Sequence, residues 1–186
     1  MKVKEILHDT EEKMKRAVEA MMREFLEVRT GRASPSLVEG IRVDYFGTPT
    51  PLKQLATIST PDARLIVIQP WDISILAEVE KAILRSDLGI TPTNDGKLIR
   101  ISIPQLSKER REELAKLVKK MAEDGRISIR TIRRDAVEAA RNLEKGSVIT
   151  EDDRFRAQDE IQKLTDKYIE RIDQILKDKE EELMKF

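Results

Sequence analysis

The chain has 186 residues, of which 38% are charged, 39% are hydrophobic and 4% are aromatic, and its formal net charge is zero. This length allows one domain or two small ones, and the neutral balance excludes a whole-molecule attraction to nucleic acid, so that any RNA binding needs a local cluster of bases. The absence of cysteine excludes disulfides and thiolate chemistry, and a charged N-terminal segment without an apolar run predicts neither a signal peptide nor a membrane segment.

The first predicted element is a helix over residues 3–29, a stretch that contains no proline or glycine. Apolar side chains recur there at seven-residue intervals, at Leu7, Met14, Met21 and Val28, with Val18 and Phe25 on a neighbouring position. Such a stripe is typical of a helix that needs partner helices in a bundle or coiled coil. The only histidine, His8, has no companion at a metal-ligand spacing, and we expect it on the surface.

The composition changes between Gly31 and Leu106, where all seven prolines and five of the seven glycines occur. Proline disrupts helix interiors and glycine weakens them. We therefore predict an α+β protein in which a small β/α/β domain, residues 31–105, is inserted into a long antiparallel three-helix bundle formed by residues 1–30 and 106–186. The two crossings between the domains are candidate hinges, and they comprise Thr30, Gly31, Arg32, Ile103, Pro104, Gln105 and Leu106.

Within the insert, apolar residues alternate with polar ones over residues 41–45 and 99–103, as in half-buried strands. The continuous apolar run at 64–69 is typical of a central strand, and the turn residues at 94–96 predict a hairpin. A helix fits between these strands, with Ser74 as its cap and Gly89 at its end. Trp71 and Tyr45 could contact a partner, although packing in or beside the core is the expected role.

The insert contains no recognisable chemistry of its own. Its glycines do not have the spacing of a phosphate loop, and no Gly-Lys-Ser/Thr follows them. Its aspartates show neither a calcium-loop nor a paired-carboxylate pattern. We therefore predict no catalytic residue, no metal site and no cofactor, and hence no enzyme.

After the insert, a second long helix is predicted from Ser107 to about Leu143, followed by a third that begins at Thr150 with three acids in its first turn. The connection between them is short, so the two helices must be antiparallel neighbours. Their apolar stripes can satisfy that of the first helix within one chain, which predicts a monomer.

Charge is unevenly distributed between these two helices. Residues 107–146 carry twelve bases and eight acids, whereas residues 147–186 carry eight bases and twelve acids. Arg126, Arg130, Arg133 and Arg134 follow a spacing that places them on one helical face, without an acid between them. Arginine suits bidentate contacts to phosphate, so this face is a candidate RNA-binding surface. The alternative is a solvated face that pairs with the acidic third helix and with Asp135 and Glu138.

At these residues the chain closely resembles the bacterial ribosome recycling factor family. The most specific matches are Arg-Thr-Gly-Arg-Ala-Ser-Pro-Ser-Leu at 29–37 and Ile-Arg-Thr-Ile-Arg-Arg-Asp-Ala at 129–136. Shorter matches lie at 45–52, 86–89, 151–153 and 162–166, and the resemblance covers the whole length. Thr131 departs from the family pattern, in which asparagine is frequent, as does Gly125.

The resemblance implies an L-shaped, cytoplasmic protein that binds the ribosome after termination, across the subunit interface. With elongation factor G and GTP hydrolysis on that partner, it would help to separate the subunits. It further implies that arginines of the bundle contact large-subunit ribosomal RNA, with Arg133 the most critical and Arg130, Arg29 and Arg111 as further candidates. Arg134 and Arg126 are added as members of the arginine face described above. A general RNA-binding protein and a coiled-coil interaction protein without ribosome specificity are the alternatives.

Overall fold

The computed structural model describes residues 2–185, which form α-helices and antiparallel β-sheets. The helices and strands, in chain order, are α1 (Val3–Glu27), β1 (Arg42–Tyr45), β2 (Thr48–Pro51), β3 (Ala56–Asp62), β4 (Leu65–Pro70), α2 (Leu76–Arg85), β5 (Thr93–Asn94), β6 (Ile99–Ser102), α3 (Lys108–Lys145) and α4 (Glu151–Lys185). They divide into two compact units, one made of the described chain up to Arg29 together with Lys108–Lys185, the other of residues 30–107. The predicted α+β fold is confirmed.

The first unit is the three-helix bundle of α1, α3 and α4. Met14, Val18, Met21, Phe25 and Val28 of the predicted stripe are buried, whereas Leu7 is half-buried and Ile6 is buried in its place. Ile6 packs against Ala136 and Ile161. The start of α1 therefore lies beside the second half of α3, so these two helices are antiparallel. Thr150 caps α4 as predicted, because its Oγ1 accepts a hydrogen bond from the N–H of Asp153 at 3.1 Å. None of the described helices has an apolar stretch long enough to cross a membrane.

Gly125 explains how the three helices approach one another at the middle of α3. A Cβ atom at this position would lie 3.0 Å from Sδ of Met21 on α1 and 3.3 Å from Cδ1 of Ile172 on α4. Both distances are tighter than ordinary van der Waals contact. The missing side chain weakens the helix by roughly 0.5–1 kcal/mol relative to alanine but leaves room for both neighbours.

We expect Gly125→Val to lower the free energy of unfolding by about 1–3 kcal/mol, because its methyl groups must displace Met21 and Ile172 in a close-packed interior. Urea denaturation followed by circular dichroism measures the change. Lys120→Val, at an exposed position of the same helix, is the control for valine without steric conflict; because glycine is a poorer helix former than valine, propensity alone would stabilise Gly125→Val. An equal loss in both variants would contradict steric exclusion at Gly125.

The second unit contains a two-stranded sheet, β1–β2, and a four-stranded antiparallel sheet in the order β3-β4-β6-β5. The predicted central strand is confirmed, because β4 pairs with both β3 and β6. The predicted hairpin is also confirmed, since β5 pairs with β6 across the turn at 94–96. The core of this unit includes Val43, Leu52, Ile66, Ile68, Val79, Ile83, Ile99 and Ile101, each at most 1% exposed.

Two details of the insert differ from the sequence-based expectation. The helical segment is capped by Asp72, whose Oδ1 accepts from the N–H of Ser74 at 2.9 Å, and α2 ends at Arg85, before Gly89. Trp71 is 69% exposed rather than packed in the core. The reason is the alternation along β4: Ile66, Ile68 and Pro70 are buried, so the following residue points to the other face.

Candidate nucleic-acid interface

Three of the arginines singled out above, Arg130, Arg133 and Arg134, lie along a shallow groove on the surface of α3, which we term the basic groove. Five bases and one carboxylate line it, a net charge of +4 in a chain whose total is zero. The lining residues are Ile127, Arg130, Thr131, Arg133, Arg134, Val137, Glu138, Arg141, Asn142 and Lys145. Local concentration of positive charge on a neutral molecule is the pattern expected of a site for a polyanion.

Helical periodicity places these side chains. Ile129, Ala136 and Ala140 are buried against the rest of the bundle, so residues on the opposite side of α3 face solvent. Arg130 and Arg134 are exposed, whereas Arg133, four residues after Ile129 and three before Ala136, borders the buried face and is half-buried. The hydroxyl group of Thr131 is engaged within the helix, because its Oγ1 donates a hydrogen bond to the backbone carbonyl of Ile127 at 3.0 Å. The polar side-chain groups of the groove that remain free to bind a ligand are therefore mostly cationic.

Arg126, in contrast, is already bound by two carboxylates. Its Nε and Nη2 donate to Oδ1 of Asp173 on α4 at 2.8 and 2.6 Å, and its Nη1 donates to Glu123 at 3.1 Å. The side chain is only 19% exposed. Burial lowers the pKa of Arg126, but the hydrogen bonds to Asp173 and Glu123 outweigh burial, so the pKa is raised overall. The alternative interpretation of the arginine face, pairing with the acidic third helix, is therefore correct for Arg126. Its ion pair with Asp173 connects α3 to α4.

Glu123 engages two of the predicted arginines at once. One carboxylate oxygen accepts from Arg126, and the other accepts from Nη1 of Arg130 at 3.2 Å. Hydrogen bonds from Arg126, the larger effect, and from Arg130 lower the pKa of Glu123. Its carboxylate therefore stays ionised at pH values below those at which a glutamate usually titrates. A phosphate that approaches Arg130 must therefore compete with a carboxylate already bound to it.

We expect Glu123→Gln to strengthen binding of RNA to the basic groove by roughly threefold to tenfold and to steepen its salt dependence, because Arg130 then offers its full charge to phosphate. Thermal stability should change little, since exposed ion pairs contribute about 0–1 kcal/mol. Titration with fluorescently labelled protein at several KCl concentrations measures this. The control is Glu113→Gln, which removes an equal charge from a pair with Arg110 on the same helix. Unchanged affinity in Glu123→Gln would contradict competition by its carboxylate.

Two predicted arginines lie elsewhere in the bundle. Arg29 lines a separate groove at the end of α1, with Arg110, Glu24 and Glu27 among its neighbours. Arg111 is half-buried near the start of α3, about 33 Å along the helix axis from Arg133. The structure therefore brings Arg130, Arg133 and Arg134 together and leaves Arg29 and Arg111 apart from them.

Sequence reasoning missed Arg141 and Lys145, which line the same groove. The available signal was their spacing from Arg134, seven and eleven residues, which repeats one helical face. Acids at 135, 138 and 144 interrupt the linear run of bases and obscured it. In the structure only Glu138 of these acids lines the groove, whereas Glu144 pairs with Arg154 of α4.

The predicted hinge residues occupy two segments without helix or strand. Gly31 has a φ angle of +81°, in the left-handed region that favours glycine. Residues 103–107 follow β6 without regular structure, and the N–H of Ile103 still donates to the carbonyl of Arg64 at 2.7 Å. Movement at these segments stays a prediction.

Within residues 2–185, no three His, Asp or Glu side chains are placed to hold a metal ion.

Comparison with known proteins identifies relatives of nearly equal length. The family model described as "Ribosome recycling factor" matches residues 21–184. The ribosome-recycling factor of Heliobacterium modesticaldum is 57% identical over 182 residues, covering 98% of each chain. That of Oleidesulfovibrio alaskensis is 57% identical over 179 residues, covering 96% of this chain and 97% of the relative.

Solved structures give the same match. A solution structure of the ribosome recycling factor is 43% identical, with a TM-score of 0.74, over 100% of this chain and 99% of the other. A second structure describes models for the T. thermophilus ribosome recycling factor and E. coli elongation factor G bound to the E. coli post-termination complex. Its matching chain is 42% identical, with a TM-score of 0.63, over 98% and 99% of the two chains.

Proposed function

This chain belongs to the ribosome recycling factor family, and on that basis we propose that it recycles ribosomes after translation termination. It binds the post-termination ribosome at the subunit interface. Together with elongation factor G and GTP, it promotes separation of the subunits and release from mRNA. The whole-length match at 57% identity carries this proposal, and the relative described with elongation factor G on a post-termination complex supports the choice of partner.

The bundle is the part that holds the ribosome, and large-subunit ribosomal RNA is the ligand of the basic groove. The net charge of +4 in that groove supports a polyanionic ligand. Arg133 and Arg134 support it further, because neither forms an ion pair with any residue from 2 to 185, so their guanidinium groups are available to phosphate. Arg130 contributes in competition with Glu123.

The protein itself catalyses no reaction in this proposal. The energy comes from GTP hydrolysis on elongation factor G, and the recycling factor acts as a cytoplasmic, monomeric binding partner. The insert, residues 31–105, moves relative to the bundle about the segments at 30–32 and 103–106. It thereby passes force from the elongation factor to the subunit interface.

Subunit separation is the direct test. Post-termination ribosomes are mixed with the protein, elongation factor G and GTP, and light scattering follows conversion to subunits. Omission of the protein, of the elongation factor or of GTP should each abolish the signal, and the protein alone should hydrolyse no GTP. Separation that proceeds equally without the protein would refute the proposal. Binding to unrelated RNA with the same affinity would favour a general RNA-binding protein.

A further inference from the structure

We infer that the ribosomal RNA bound in the basic groove continues beyond Arg134 along α3, on to Arg141 and Lys145, and that Arg126 lies outside the RNA contact. The inference rests on the proposed function, and it names which side chains carry the contact. It shifts the binding surface from the middle of α3 toward the turn that leads into α4. The shift follows from which cations the fold already neutralises and which it leaves available.

The first argument is the state of each cation. Arg126 is bound by Asp173 and Glu123 and is mostly buried, so a phosphate would have to displace two carboxylates to reach it. Arg141 and Lys145 are exposed, and among residues 2–185 no carboxylate pairs with either of them. Because a paired guanidinium offers little net charge, the attraction for a polyanion is displaced toward the C-terminal part of α3.

The second argument concerns the acids nearest to Arg141 and Lys145. Glu144 pairs with Nε of Arg154, which is 17% exposed and also lies near Glu151. This contact between α3 and α4 directs the Glu144 carboxylate to Arg154, so it does not neutralise the groove. Glu138 is then the only acid lining the groove, against five bases.

The third argument is length. From Arg130 to Lys145 the groove extends about 22 Å along the helix axis, at 1.5 Å per residue. A single phosphate would use one or two of these bases, whereas a row of this length suits successive phosphates of a nucleic-acid strand. Lys145 also lies in the last turn of α3, where the helix dipole alone favours a base. Arg141 lies one turn earlier, where the helix dipole favours a base less strongly. The two residues are therefore substituted together in the test.

The experiment compares Arg141→Ala/Lys145→Ala with Arg171→Ala/Lys177→Ala, a pair of exposed bases on α4 outside the groove that removes the same charges. Arg133→Ala is the third variant. Isolated large ribosomal subunits and protein-free large-subunit RNA are the two probes, each titrated at several KCl concentrations. We expect the groove pair to weaken binding to both probes by roughly tenfold and to reduce the salt slope by up to about two. The α4 pair should change affinity by less than about twofold.

Charge-preserving Arg141→Lys/Lys145→Arg should restore most of the affinity, which a loss of helix structure would not allow. Wild-type binding by the groove pair, with Arg133→Ala still impaired, overturns the extension and leaves the proposed function intact. Wild-type binding by Arg133→Ala as well removes the RNA-binding role of the groove altogether. Weaker binding to subunits with unchanged binding to protein-free RNA assigns the two bases to an acidic ribosomal protein, which also overturns the inference.

Discussion

Replacing Arg133 with alanine should weaken binding to ribosomes by roughly tenfold or more, while the folded protein stays intact. Arg133 lies in the basic groove, and no residue from 2 to 185 pairs with its guanidinium, so its charge is available to phosphate. Loss of one bidentate, charge-assisted contact removes about 1.5–3 kcal/mol of interaction. The salt slope should also fall by roughly one. Equilibrium titration of ribosomes at several KCl concentrations measures both quantities.

Arg126→Ala is the informative comparison, because it removes the same side chain from the same helix. It breaks the contacts to Asp173 and Glu123 that join α3 to α4. We expect it to lower the melting temperature by roughly 2–4 °C, the effect of about 1 kcal/mol in a chain of this size, and to leave ribosome affinity near the wild-type value. Stability should change little in Arg133→Ala. The opposite pattern, with Arg126→Ala impaired in binding and Arg133→Ala not, would place the RNA contact at the middle of α3.

Lengthening both crossings between the two units should abolish subunit separation without abolishing ribosome binding. The variant carries four Gly/Ser residues after Thr30 and four after Gln105. Each unit has its own buried core, and flexible insertions in exposed segments cost little stability. The bundle keeps its basic groove and still binds, whereas a slack connection cannot pass force from the insert. Light scattering in the presence of elongation factor G and GTP gives the recycling rate, and titration gives the affinity.

The matched control inserts the same four residues after Gly96, in the exposed turn between β5 and β6. It lengthens the insert without altering its connections, so separation should proceed at close to the wild-type rate. Wild-type separation by the double insertion would show that the insert does not act as a lever. Loss of ribosome binding in the same variant would instead show that the connections themselves contribute to the ribosome contact.

The sequence by itself determined the elements and the family. Apolar side chains that recur every three or four residues predict the three long helices, and the prolines and glycines between Gly31 and Leu106 mark the insert. Alternation predicts the half-buried strands, and an uninterrupted apolar run predicts the central one. These features could be inferred because helices and strands have fixed periods, so local order along the chain is enough to assign them.

Tertiary structure decided which of the four clustered arginines remain available. All four occupy neighbouring positions of one helix, and their local sequence does not separate Arg126 from Arg133. Arg126 is neutralised by Asp173, 47 residues away in sequence, a partner that no local pattern can specify. The close approach at Gly125 also depends on Met21 and Ile172 of other helices. Burial and ion pairing arise between elements that packing brings together, and for that reason the charge that the groove offers to RNA is a property of the folded bundle.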